Sequence, residues 1–326
     1  MRLLLRRLFF YAVTAFVAIT LDFLIPHLVP GDPVQAVIAS KAGAIPPRAT
    51  ESLYAQFGIN VHEGLWSQYL HYWNMILHGN LGLSLSQYPA TVGTVIRSAL
   101  FWTIGLVGIA TVISFILGTL IGALVAWRRG SMLEGILPIS TFFQAMPYFF
   151  LATLLLLFFA TDVHWFPDHG GYKFETHTIG VNLPFIRDAL YHSVLPALTI
   201  VGASLAGWIL GMRNMMVTVR DEDYVLLAEA AVLPKRRVIW YAARNAILPS
   251  VSSFALALSF VVSGSLLTEI VFSYPGIGNV LYQAVIGEDY PLVQGIFLII
   301  TFVVLAANLL ADLVYAFLDP RTRQEV

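Results

Sequence analysis

Residues 220–249 read RDEDYVLLAEAAVLPKRRVIWYAARNAILP, a charged island between two long apolar runs. Arg220, Asp221, Glu222, Asp223, Glu229, Lys235, Arg236, Arg237 and Arg244 all fall within it. A charge at the centre of a bilayer costs at least ~2.5–3.5 kcal/mol on insertion scales, so this stretch lies in water between two membrane spans. Yet Tyr224, Val225, Leu226, Leu227, Ala230 and Ala231 make it too apolar for a plain solvated loop. A segment of this mixed kind is expected to dock on a partner protein at the cytoplasmic face.

The rest of the chain supports a membrane setting. Its 326 residues are 58% hydrophobic and only 11% charged, with a mean hydropathy of +0.77, whereas soluble domains carry roughly 25% charged residues. The formal net charge of −1 gives no sign of nucleic-acid binding. There is no cysteine, which removes disulfides, thiolate metal sites and cysteine nucleophiles. The lysines Lys41, Lys173 and Lys235 precede Ala, Phe and Arg, so none completes a G-x-x-x-x-G-K-[ST] phosphate loop. If ATP drives this protein, another chain supplies the nucleotide site, and no cofactor is expected here.

A spanning helix needs ~20 mostly apolar residues. Six segments qualify: about 8–29, 99–127, 136–160, 194–217, 248–272 and 291–317. The fold class is therefore an all-α integral membrane protein. Gly118 and Gly122 form a small-xxx-small pair suited to close helix packing. With the N-terminus inside, thirteen of the 18 Lys and Arg residues fall on the inner side and five on the outer, so the positive-inside rule puts both termini in the cytoplasm. Arg2, Arg6 and Arg7 before an apolar run also suit a signal peptide, but the run continues to Val29 and meets Pro30-Gly31-Asp32-Pro33 without a small-x-small site; a retained first span is expected. The outer loops are then 30–98, 161–193 and 273–290, with an amphipathic helix over 62–79 lying along the outer surface.

Four blocks, in order and spacing, resemble one family. They are Arg6-Arg7 with the span ending in Pro30-Gly31-Asp32-Pro33; Asn80-Leu81-Gly82-Leu83-Ser84; Asp223-Tyr224-Val225 running on to Arg244-Asn245-Ala246-Ile247-Leu248-Pro249; and Glu269 through Tyr274-Pro275-Gly276-Ile277-Gly278, followed by Asp289-Tyr290-Pro291, Asn308 to Asp312 and Asp319-Pro320-Arg321. Nearly end to end, the chain resembles the first, B-type, membrane subunit of bacterial dipeptide/oligopeptide ABC importers. The resemblance implies a six-span type I importer permease in the bacterial inner membrane. Its partners would be a second homologous permease, two cytoplasmic ATPases and an extracytoplasmic solute-binding protein. Residues 1–98 would form an N-terminal span and outer loop, 99–317 the core permease and 318–326 a cytoplasmic tail.

The resemblance also makes about 218–247 the coupling loop that docks on an ATPase. The candidate coupling residues are Tyr224, Ala228, Glu229, Ala230, Ala231, Val232, Leu233, Pro234, Arg236, Arg237, Arg244 and Asn245. The family pattern A-x-A-x-G departs here to Ala228-Glu229-Ala230-Ala231-Val232; Glu229 is not the family's leading acidic position, which aligns nearer Leu226. Glycine permits positive φ and a β-branched residue resists it. The turn is therefore expected to be built differently, with help from Pro234. Arg244 and Asn245 are expected to fix the loop by bonding backbone carbonyls, with direct ATPase contact as the competing reading.

The candidate pore or gate residues are polar or small ones within or beside the spans. Asp22 either lines the path or bonds another helix near water. Asn308 and Asp312, four apart, share a helix face and suit contacts within the bundle or with the sister permease. Glu269 precedes a Pro275-Gly276 break, Gly278 and a short helix over 279–287, either an outer gate or a structural cap. Ser263 and Gly264 suit either substrate passage or close packing.

Two other classes fit less well. An enzyme is disfavoured because 202–207 misses G-x-S-x-G by one residue and His62-Glu63-Gly64-Leu65-Trp66 lacks the second histidine of H-E-x-x-H. An ion-coupled carrier tends to place ionisable residues at the membrane midplane, where these spans carry almost none. Oligosaccharides or metal complexes are the alternative cargo to peptides.

Overall fold

The computed structural model describes residues 2–28, 64–128, 130–174, 180, 182–259, 261 and 265–318. Their regular structure is helical. The chain divides into two compact units, Met1–Trp102 with Gly276–Val326, and Thr103–Pro275.

In the first unit, helix α1 (Arg2–Leu28) is joined to α2 (Leu65–Leu77) by aromatic and polar contacts. Phe16 stacks on Trp73, Phe23 meets the edge of Tyr69, and the Thr20 and Tyr69 hydroxyls lie 2.7 Å apart. Trp66 and Leu77 stay exposed on α2, as suits the amphipathic surface helix read from the sequence.

Helix α3 (Val92–Thr103) presents Val92, Val95, Ile96 and Ala99 at helical spacing. They form a buried core with the helices introduced at the chain's end, where Ile277, Ala284, Leu292 and Ile296 face them. A Cβ on Gly295 would lie 2.4 Å from Val92 Cγ1, so glycine is what permits this approach.

In the second unit, a π-helical turn at Ile104–Gly108 leads into α4 (Ile109–Trp127). Helix α5 (Ile136–Ala145) and α6 (Tyr148–Leu155) are bent by 102°. This corrects the single continuous span expected over 136–160. The cause is Pro147: its ring excludes the helical conformation from the residue before it, and Met146 is extended at φ −74°, ψ 133°.

Helix α7 (Leu183–Arg220) has 38 residues, about 57 Å at the usual rise. It starts earlier than the span read from 194, because the Asn182 side chain caps it by accepting from Phe185 N at 2.9 Å. Gly118 and Gly122 of α4 face α7: added Cβ atoms would lie 2.4 Å from Trp208 Cβ and from the Ile209 carbonyl oxygen. The pair serves close helix packing.

Helices α8 (Asp223–Ala230) and α9 (Lys235–Ala246) fill the charged island. Helical structure in the expected fifth span comprises α10 (Leu248–Ser259) and α11 (Leu266–Val271). Ser263 and Gly264 lie outside the described residues. Back in the first unit, α12 (Ile277–Ile286) matches the short helix expected after the Pro-Gly break, and α13 (Tyr290–Leu318) is the last helix among the described residues. Among the described residues, Val92–Trp127, Leu183–Arg220 and Tyr290–Leu309 are long and apolar enough to cross a bilayer, with a fourth span if the bent α5–α6 pair counts as one.

Candidate coupling surface and membrane groove

Helices α8 and α9 form a packed hairpin. Val225 and Ala228 bury one face of α8, and Val238, Ala242 and Ala246, spaced by four, bury one face of α9. Both meet Met212, Met216 and Val219 of α7 and Ala126 of α4. The small alanines bring the helices close, and the α7 residues tie the hairpin to a long helix. Arg220 adds a cation–π contact, with its guanidinium carbon 5.2 Å from the centre of the Trp127 ring.

The turn between α8 and α9 differs from the expectation. Val232 takes φ +56°, so the left-handed conformation is kept despite the β-branched side chain. Val232 N–H donates to the Glu229 carbonyl at 2.9 Å and Leu233 N–H to the Ala228 carbonyl at 3.3 Å. These are the two bonds of a Schellman cap. Leu233 packs against the hairpin core, supplying the hydrophobic contact that accompanies this cap. Two other helices end the same way on non-glycine residues: Ser273 after α11 at φ 47° and Glu288 after α12 at φ 52°.

The coupling candidates fall into two groups. Tyr224, Glu229, Ala230, Ala231, Val232, Pro234, Arg236, Arg237, Arg244 and Asn245 are exposed, Leu233 is half-buried, and Ala228 is buried beneath the hairpin. Asn245 Nδ2 donates to the Tyr241 carbonyl of its own helix at 3.4 Å. Leu226, Leu227 (70% exposed) and Val232 (88% exposed) form the apolar part of this surface; Leu226 and Leu227 were not among the candidates.

The gate candidates are mostly interior. Glu269 is 0% exposed and accepts from the Thr103 hydroxyl at 2.8 Å. Its carbonyl accepts from Tyr274 N–H at 2.8 Å, closing the α11 cap. Burial pushes the Tyr274 phenol up to about 12, opposed by its hydrogen bond with Ser193 and reinforced by the Glu269 charge, so the hydroxyl stays neutral. Pro275 is half-buried. Gly276 caps α12 at its N-terminus, and Gly276 and Gly278 are both buried. Asp22 is buried and accepts from the Tyr72 hydroxyl at 2.9 Å, and its carbonyl accepts from Gln294 Nε2 at 3.0 Å. Among the described residues its Oδ1 has no hydrogen-bond partner. Asn308 is half-buried on α13; the side chain of Asp312 lies outside the described residues.

Sequence reasoning missed a groove of about 810 Å³ in the second unit. Its polar lining is Gln144, Tyr148, Ser204, Asn214, Ser250 and Ser253. On α7, Ser204, Gly207, Gly211 and Asn214 recur at helical spacing and line one stripe. Phe115 of α4, Trp208 of α7 and Phe254 of α10 pack as an aromatic group beside it. The Ser204 hydroxyl lies 2.8 Å from that of Ser114, and Arg213 Nη1 donates to Asn214 Oδ1 at 3.2 Å. The polar and small-residue stripe of α7 was the signal available in the sequence.

Residues 118–324 match the family described as the binding-protein-dependent transport system inner membrane component. The chain is 33% identical to a dipeptide transport system permease protein of Escherichia coli K12, over 100% of this chain and 99% of the relative. It is 30% identical to a di/tripeptide transport system permease protein of Pseudomonas aeruginosa, over 98% of each, and 29% identical to an oligopeptide transport system permease protein of Bacillus subtilis, over 92% of each. The chain belongs to the inner-membrane components of binding-protein-dependent transport systems, as a non-catalytic permease subunit of an ABC importer.

Proposed function

We propose that this chain forms half of the pore of an importer for di- and oligopeptides, with six spans and both termini in the cytoplasm. It pairs as a heterodimer with a second homologous permease. Two cytoplasmic ATPases bind beneath, and an extracytoplasmic solute-binding protein delivers cargo. The core permease is 99–317, and the α8–α9 hairpin within 218–247 is its coupling element.

The observation that carries this reading is the hairpin's construction. An exposed edge of Leu226, Leu227 and Val232 stands on a base packed into α7 and α4. An exposed apolar patch of this kind suits a protein partner. When an ATPase moves the edge, the buried contacts of Met212 and Met216 carry the motion into α7. ATP binding then shifts the pore between two states by its differential affinity for them. Peptide cargo is favoured over oligosaccharides or metal complexes by the names of the relatives above.

The test uses the chain assembled with its partner subunits in lipid. ATPase activity is measured with and without the loaded solute-binding protein, alongside peptide uptake. Stimulation that is lost in Glu229→Lys/Arg236→Glu, with assembly intact, supports the coupling role. Uptake driven by an ion gradient without the ATPases would replace this reading with an ion-coupled carrier.

A further inference from the structure

We infer that the groove bordered by α5, α6, α7 and α10 is a peptide-binding subsite of the passage, holding short peptides through neutral hydrogen-bonding groups. This rests on the importer reading above and adds the site and its chemistry.

Three observations carry it. First, the groove's volume of about 810 Å³ lies within the usual range of ligand cavities, about 300–1,000 Å³. Second, its lining combines amide and hydroxyl groups with no Asp, Glu, Lys, Arg or His. Gln144 and Asn214 are exposed there, so both amides are open to a ligand entering the groove. Arg213 occupies Asn214 Oδ1, which leaves the Nδ2 donor available for a peptide carbonyl. Third, Gly211 is not a packing glycine. A Cβ on Gly211 meets nothing within 4 Å, whereas Gly118 and Gly122 on the α4 face are filled by α7.

Peptide backbones present alternating donors and acceptors, which amide and hydroxyl groups pair with whatever the side chains are. Amide and hydroxyl contacts of this kind do not depend on the charge of a peptide's side chains, which a passage for varied sequences requires. Trp208 and Met215, also in the lining, supply adaptable apolar contact.

The chain has no cysteine, so Gly211→Cys and Ser253→Cys each place a single thiol on this subunit. The full complex in lipid is treated with a water-soluble maleimide, and labelling of this subunit is followed with and without excess trialanine. Both thiols are expected to label without nucleotide and to lose labelling when trialanine is present. In a second arm, Gln144→Glu, which adds a carboxylate to the lining away from Arg213, is expected to shift the uptake ratio of lysine-containing over glutamate-containing tripeptides by about tenfold relative to wild type, through the added charge.

Thiols that stay unlabelled in the assembled complex, or that label without protection by trialanine, overturn the subsite while wild-type trialanine uptake keeps the importer reading standing. An unchanged charge ratio in Gln144→Glu also overturns it. If the wild-type complex shows binding-protein-stimulated ATPase activity but takes up no peptide, the peptide reading itself falls, and this subsite with it.

Discussion

The Ser84 hydroxyl donates to Asp289 Oδ2 at 2.5 Å across 205 residues of chain. The same oxygen accepts from Ser86 N–H at 2.9 Å and from the Ser86 hydroxyl at 2.7 Å, while Oδ1 accepts from Leu292 N–H at 3.2 Å and caps α13. Asp289 is 0% exposed. Two blocks quoted separately from the sequence, Asn80 to Ser84 and Asp289 to Pro291, are thus parts of one latch within the first unit.

Asp289→Ala is expected to destabilise the chain by about 3 kcal/mol, because it strands two buried donors, the Ser84 hydroxyl and Leu292 N–H, and loses two part-buried bonds from Ser86. Asp289→Asn keeps one acceptor but sets an amide N–H against donors, and about half that loss is expected. Thermal unfolding of the purified chain in detergent, compared across the two variants, checks the order. Equal stability of Asp289→Ala and wild type would remove the latch's structural role.

Much of this architecture was legible for reasons of cost. Charge is so unfavourable in lipid that 220–249 had to be an aqueous segment; its two helices appear only in the structure. Gly118 and Gly122 were readable as a contact stripe because only small residues recur at that spacing. The Ser84–Asp289 latch was not legible: a polar pairing between distant segments leaves no periodicity. The bend at Met146-Pro147 had a local signal in Pro147, but the continuous apolar run over 136–160 outweighed it. The groove was hidden because Ser204 and Gly207 look like ordinary small residues until α7 is wound into a helix.

Val232 is the turn residue whose local preference loses to its surroundings. A non-glycine residue in the left-handed region costs about 1–2 kcal/mol, yet both cap bonds and the Leu233 contact hold it there. Val232→Gly is therefore expected to raise stability by about 1 kcal/mol, less the extra entropy of an unfolded glycine. The same variant removes an apolar side chain from the coupling edge, so retention of the ATPase during purification is expected to fall. Stability and co-purification moving in opposite directions would separate backbone strain from partner contact.

Gly122→Ala is expected to cost about 1–3 kcal/mol, the usual range for overpacking, because the new Cβ meets the Ile209 carbonyl oxygen at 2.4 Å. Gly211→Ala, on the same pair of helices but facing open space, is expected to be neutral or slightly stabilising, since alanine favours a helix interior by about 1 kcal/mol. Unfolding midpoints measured side by side decide this. Equal losses would mean that the α4–α7 contact has room that the packing geometry denies.

Glu269 is better placed to hold the second unit together than to gate a pore. Its side chain is buried against Thr103, and its backbone carbonyl closes the α11 cap. Glu269→Ala leaves the Thr103 hydroxyl without this acceptor and opens a cavity, a loss of about 2–4 kcal/mol. Glu269→Gln keeps an amide oxygen for the same hydroxyl and is expected to recover most of that stability. Peptide uptake per assembled complex separates the two roles. A structural residue gives Glu269→Gln complexes that transport as well as wild type once assembled, whereas stable Glu269→Gln complexes with uptake abolished would return the carboxylate to the gate.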